Sequence, residues 1–387
     1  MNSSLPRGVF ALGLVSLFMD LSSEMIHSLL PVFLVTVLGA SALAVGLIEG
    51  IAEATAAIVK VFSGIVSDWV GRRKPLLLLG YGLAALTKPL FPLAGGIGAV
   101  LTARFLDRVG KGIRGAPRDA LIADITPESR RGAAYGLRQA LDTVGAFAGP
   151  LVAMGLMVAT GDNFRQVFWV AVIPALVCVL LIVFGVQEAE ATRPARQARF
   201  PITRVNLRRL SRRFWQVVAF AMMLTLARFS EAFLLLRAED VGLAARWVPL
   251  MLIVMNVVYA VSAYPFGRLF DDGHRRRLLA LGIGLLIVAD LILARAASPW
   301  AVALGSALWG LHMGATQGLL AALVAETAPA DLRGTAFGVF NLGSGVALLA
   351  ASVIAGGLWS AFGPGLTFYA GAAFAFIAGA GLVAARR

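Results

Sequence analysis

ALIADITPESRRGAAYG, residues 120–136, returns 202 positions later as ALVAETAPADLRGTAFG, residues 322–338. In this register Asp124 meets Glu326, Pro127 meets Pro329, Arg131 meets Arg333, and Gly132 and Gly136 meet Gly334 and Gly338. A looser match sets GIVSDWVGRRK from residue 64 against GRLFDDGHRRR from residue 267. Acid, proline, arginine and glycine at fixed places describe a helix end, a charged turn and the next helix start. What repeats is therefore helical, and the spacing makes the chain two copies of one larger unit, an organisation common where two halves rock about a central site.

The material around these turns is apolar. The 387 residues are 59% hydrophobic and 14% charged, with a mean hydropathy of +0.83, outside the range of soluble domains. A bilayer-spanning helix needs about 20 mostly apolar residues. Twelve such runs are expected, at 9–38, 43–67, 75–96, 98–122, 132–158, 164–187, 214–238, 245–270, 276–296, 299–325, 333–360 and 363–385. The fold class is an all-α polytopic membrane protein: a six-helix bundle over 1–187, a basic linker over 188–213 and a second six-helix bundle over 214–387. The first run is too long for a signal peptide and carries acids at its centre, so it is read as a retained helix.

The formal charge of +13 is distributed by side. Alternate connectors hold Arg7, then Arg72, Arg73 and Lys74, then Arg130 and Arg131, the arginines of 188–213, Arg275 to Arg277, and Arg333, Arg386 and Arg387. The opposite connectors offer Arg165, Arg237, Arg246 and Arg295. The positive-inside rule then places both termini in the cytoplasm and accounts for the charge without nucleic acid. The partner implied is the lipid bilayer. The single Cys178 excludes an intramolecular disulfide.

Within the spans lie charges that hydrocarbon cannot hold unpaired, since each costs about 2.5–3.5 kcal/mol at mid-membrane on insertion scales. Asp20, Glu24 and His27 fall within about 60° of one another on the first helix. Glu49, Glu53 and Lys60 share a face of the second. On the fourth, Arg104, Arg108, Lys111, Arg114 and Arg118 recur every three or four residues within roughly 120°, with Asp107 on the same face. On the fifth, Arg138 and Asp142 form an i, i+4 pair. The second half is drier: Arg228 and Glu231 on the seventh helix, Asp290 on the ninth and His312 on the tenth. These residues predict a polar interior concentrated in the first half, whose members either carry protons and substrate or align helices as buried ion pairs.

Three motifs carry a resemblance. Gly64, Asp68, Gly71, Arg72, Arg73 and Lys74 match the signature loop of the major facilitator superfamily, with Trp69 in place of its usual basic residue. RVGKGIRGA, with Arg108 and Gly112, resembles the second signature. GAFAGP, with Gly145, Gly149 and Pro150, is similar to the start of the signature typical of exporters, although Ala153 and Met154 replace its trailing glycines. DLSSEMI, GLIEGIAEA and DRVGKGIRGAPRDALIAD resemble bacterial nickel-resistance-type permeases. The resemblance implies a gate in the loop Gly64 to Lys74. The residues themselves give GxxxG packing for Gly145 and Gly149, and a broken backbone hydrogen bond at Pro150.

No nucleophile with its base, HExxH site or phosphate-cradling loop is present in the sequence, so no enzyme and no cofactor is expected. The function expected is secondary transport of a small molecule or ion by a monomer, driven by protons carried on carboxylates such as Glu24. The cargo is an organic compound exported by antiport, or a divalent metal or its chelate with Asp20, Glu24 and His27 as O and N ligands.

Overall fold

The computed structural model describes residues 5–70, 72–187, 202–271, 275–329 and 332–384. Most of the expected linker, Gly71 of the signature loop and the side chain of Asp68 lie outside the described residues. Contacts divide the chain into two compact units, Met1–Phe33 with Thr55–Phe200 and Leu34–Ala54 with Pro201–Arg387.

The helices in chain order are α1 (Arg7–His27), α2 (Leu30–Thr36), α3 (Ala42–Val70), α4 (Lys74–Thr87), α5 (Leu90–Leu93), α6 (Ile97–Ile125), α7 (Arg131–Ala159), α8 (Phe164–Gly185), α9 (Arg204–Arg208), α10 (Arg212–Ala227), α11 (Ala232–Asp240), α12 (Leu250–Asp271), α13 (Arg275–Ala294), α14 (Pro299–Thr327), α15 (Arg333–Phe362) and α16 (Pro364–Ala384). Taking α1 with α2, α4 with α5 and α10 with α11, and setting aside the five-residue α9, the described residues form twelve helical runs where twelve were expected. Eleven are long and apolar enough to cross a bilayer. The run that falls short is α6, whose arginines, lysine and aspartates lower its hydropathy.

Two of the breaks coincide with proline. Pro31 and Pro89 lack the N–H that would continue the helix, and α1 gives way to α2, and α4 to α5, at these points. Lys88 thus stands at a broken turn.

In the first unit α1 packs on α7 and α8, and α4 on α6 and α8, around Val9, Leu12, Met19, Tyr81, Leu121 and Ile182. Helices α4 and α6 cross glycine on glycine: a Cβ on Gly80 would stand 2.8 Å from the Arg114 Cβ, and one on Gly110 would stand 2.6 Å from the Gly80 carbonyl oxygen. Between apolar helices in lipid such close van der Waals contact is the main attraction. In the second unit α12 and α13 pack on α14, α16 on α13 and α10, and α15 on α10. Large exposed apolar side chains, among them Leu86, Phe184 and Trp300, suit a surface covered by lipid.

The arginines that break the charge asymmetry have local duties. Arg165 donates to the carbonyls of Pro92 and Ala94, and Arg237 to those of Leu293 (2.9 Å) and Ala296 (2.6 Å). Each guanidinium thereby satisfies carbonyls left open where the third helical run of its half ends. Arg295 donates to the Tyr369 hydroxyl at 2.9 Å.

Candidate functional site

The polar interior of the first unit is built on the contact between α1 and α7. Gly145 lies against the Leu17 backbone, and a Cβ on Gly149 would come within 2.6 Å of the Glu24 Cβ and 3.0 Å of the Leu21 carbonyl oxygen. The glycine face expected from GAFAGP therefore seats α1 at the level of its carboxylates. The Ser22 hydroxyl donates to the Ala171 carbonyl at 2.6 Å and ties the other side of α1 to α8.

Three layers of charge follow along α1 and α6. In the first, Glu24 accepts from His27, with Nδ1 to Oε2 at 3.3 Å, and Lys111 and Arg108 lie nearby. In the second, Asp20 faces Asp142 of α7, with Arg114 and Lys111 close to it. Arg118 bridges this layer: it reaches Asp142 at 3.8 Å, Asp119 at 3.2 Å and the Ser16 hydroxyl at 3.1 Å, while Arg138 holds Asp142 at 3.3 Å. Arg114 also lies over the Tyr81 ring, 4.6 Å from its centroid. In the third, Lys88 pairs with Asp107 at 2.9 Å and donates to the Ser23 hydroxyl at 3.0 Å; Arg104, Arg108 and Arg114 surround the same carboxylate.

Arg118 links α1, α6 and α7, so Arg118→Ala is expected to remove about 1.5–3 kcal/mol of charge-assisted hydrogen bonding. The melting temperature in detergent should fall by several degrees and transport should be largely lost. An unchanged melting curve with full transport would show that these contacts are not maintained.

The signature loop lies at the end of this unit that carries the basic residues. Arg73 donates to the Ser67 hydroxyl at 2.5 Å and reaches Asp124 at 3.4 Å; Lys74 donates to the Val183 carbonyl at 2.9 Å, and Arg72 is exposed. Gly64 faces Ala116 of α6. In the second unit Arg275 pairs with Glu326 at 2.5 Å. The two ion pairs, Arg73 with Asp124 and Arg275 with Glu326, fall 202 positions apart at both members. The repeat in the sequence is thus a repeat of contacts.

A family model of the Major Facilitator Superfamily matches residues 12–255 and 231–387. The chain belongs to this superfamily. An uncharacterised MFS-type transporter of Methanocaldococcus jannaschii is 32% identical over 385 residues, covering 98% of this chain and 94% of that one. The inner membrane transport protein YajR of Escherichia coli is 24% identical, covering 96% and 81%. The crystal structure of the nucleoside transporter NupG shares the fold with a TM-score of 0.81 at 12% identity, over 97% of this chain and 98% of that one. The protein is a secondary transporter and not an enzyme.

Several expectations for this MFS transporter change with its geometry. The stripe on α6 is not one wet face: Arg104, Arg108 and Arg114 are buried inside the unit, Arg118 is half-buried, and Lys111 is exposed. Lys60 is also exposed, its stem packed over Gly115. Glu49, 1% exposed, and Glu53 belong to the segment Leu34–Ala54 and so to the second unit, whereas Lys60 on the same helix belongs to the first. Arg228 and Glu231 lie side by side where α10 breaks before α11. Among the described residues no three His, Cys, Asp or Glu side chains converge as a metal site. Asp20, Glu24 and His27 share a helix face, but Asp20 is directed to Asp142 and only Glu24 and His27 meet.

Lys88 escaped the sequence reading. Its signal was available, a lysine beside proline within an apolar run, but a lone basic residue near a span end reads as a snorkelling anchor. Tyr259 and Gln317, hydrogen-bonded at 3.1 Å, also escaped it; Tyr259 lines a cavity of about 510 Å³ in the second unit together with Tyr264, Arg268, Gly314 and Gly318.

Proposed function

We propose that the transporter is a proton-coupled exporter of a small organic compound, a monomeric antiporter of the bacterial inner membrane working by alternating access. The observation that carries this reading is the pair of carboxyls, Asp20 and Asp142, facing each other among Arg114, Arg118 and Lys111. Like charges this close disfavour each other, and the cations of α6 oppose that effect at Asp20. A movement of α6 relative to α1 therefore changes whether Asp20 holds a proton, which is the requirement for coupling.

The spacing of the first helix favours Glu24 as the proton carrier; its contacts favour Asp20. Glu24 already has the His27 imidazole as partner and Arg108 and Lys111 nearby, a setting suited to organising cations that meet a cargo with an acidic group. Export rests on the resemblance of GAFAGP to the exporter signature and on the seating of α1 by Gly145 and Gly149. The inner membrane agrees with the name of the E. coli relative. The loop Gly64 to Lys74 is read as the cytoplasmic gate. An organic cargo is preferred to a metal because the described residues supply no three-ligand cluster.

The test is flux in proteoliposomes under an imposed pH gradient, screened across amphipathic organic acids, neutral compounds and divalent metal salts. The expected result is gradient-dependent movement of an organic compound and none of the metals. Metal flux without organic flux would overturn the cargo, and flux indifferent to the gradient would overturn the coupling.

A further inference from the structure

Asp290 is a carboxylate of the membrane spans that the ion-pair layers leave unexplained. It lies on α13, is 0% exposed, and neither of its oxygens has a hydrogen-bond partner among the described residues. The carboxyl lies against α16 at Gly371, a position that the Phe229 ring also adjoins. A Cβ on Gly371 of α16 would stand 2.6 Å from Asp290 Oδ2 and 3.0 Å from the ring of Phe229, so only glycine leaves room for it there. Phe229 is itself enclosed edge-on by Phe233, Trp309 and Phe368, each with ring centroids 5.4 Å away.

The charged and titratable groups on the elements around α13 are engaged elsewhere. His312 of α14 turns Nδ1 to the Gly282 carbonyl at 2.7 Å, eight residues and about 12 Å along α13 from Asp290. Glu326 of α14 pairs with Arg275 at the far end of α13. Arg295 and Tyr369 of α16 hold each other, and Tyr259 of α12 holds Gln317. Tyr264 and Arg268 of α12 line the separate cavity beside α14. Arg237 is committed to Asp240 and to the Leu293 and Ala296 carbonyls, and Arg228 lies beside Glu231.

The internal repeat sharpens the contrast. At the offset of 202, Asp290 takes the position of Lys88 and Trp309 that of Asp107. Where the first unit holds a buried ion pair, the second holds an acid and an indole. Burying a charge without a partner costs several kcal/mol, whereas a neutral carboxylic acid is an ordinary small polar group.

We propose that Asp290 is a proton-binding site of the second unit, occupied in this conformation and emptied only when α16 and the Phe229 segment move off the carboxyl. The site needs neither the cargo nor the direction of transport, and it is independent of the role given to Asp20.

Infrared difference spectroscopy of the purified protein at neutral pH tests it. The carbonyl stretch of a protonated carboxylic acid, shifted by deuterium exchange, should be present in the wild type and reduced by one acid in Asp290→Asn. The melting temperature gives a second readout. An acid neutral when folded and ionised when unfolded contributes stability that is lost as pH rises. The wild type should therefore lose several degrees more than Asp290→Asn between mildly acidic and alkaline pH. Identical spectra, or parallel melting profiles, would overturn the proposal. If Asp290→Asn does not accumulate, Asp20→Asn decides: a remaining protonated-acid band supports the site, and its absence overturns it.

Discussion

Asp107→Ala is expected to leave little folded transporter in the membrane. Asp107 is 4% exposed and is the carboxylate around which Lys88, Arg104, Arg108 and Arg114 gather. Lys88, 1% exposed, would keep only its bond to the neutral Ser23 hydroxyl in place of a charged partner. Removing one partner of a buried pair costs about 3–5 kcal/mol, because the remaining charge stays desolvated. That is a large part of the roughly 5–15 kcal/mol that separates folded from unfolded states in typical proteins. The check is the yield of monodisperse protein by fluorescence-detected size exclusion, with the melting temperature of whatever survives. The double variant Lys88→Met, Asp107→Leu should recover part of the loss, since apolar side chains of similar volume replace buried pairs with small cost or some gain. A single variant as stable as the wild type would mean that water reaches the pair.

The positions of the helices were legible because apolar runs end at charges, glycines and prolines, and the expected boundaries lie within a few residues of those observed. The site was legible only in part. A period of 100° per residue groups Arg104, Arg108, Lys111, Arg114 and Arg118 within a wide arc, but an arc of that width includes both the buried Arg114 and the exposed Lys111. Which side of the arc faces α4 is decided by Gly80 and Gly110, whose close crossing is a pairwise property. The division of α3, with Glu49 and Glu53 in one unit and Lys60 in the other, has no local signal at all. Asp124 and Glu326 could be matched as equivalent positions, but their arginine partners 51 residues upstream emerge only from the fold.

Asp20→Asn is expected to uncouple the transporter. Asparagine keeps the shape of the aspartic acid and can still hydrogen-bond Asp142, so α1 should stay in place on Gly145 and Gly149. What it cannot do is gain and lose a proton as α6 moves. Gradient-driven flux should fall by at least about tenfold, a loss on the order of 1.4 kcal/mol or more in driving the cycle, while equilibrium exchange and substrate affinity persist. Glu24→Gln should act differently. It weakens the contact with His27 and the balance with Arg108 and Lys111, so affinity should drop while the response of residual flux to the gradient is retained. Reversed phenotypes would assign the proton to Glu24.

Coupling is tested most directly by the protons themselves. Vesicles containing the purified transporter and an internal pH-sensitive dye, with no initial pH gradient, are given an outward substrate gradient. Proton movement opposite to the substrate is expected in the wild type, and substrate movement without it in Asp20→Asn. Substrate flux with no proton movement in the wild type, or undiminished proton movement in Asp20→Asn, would contradict it.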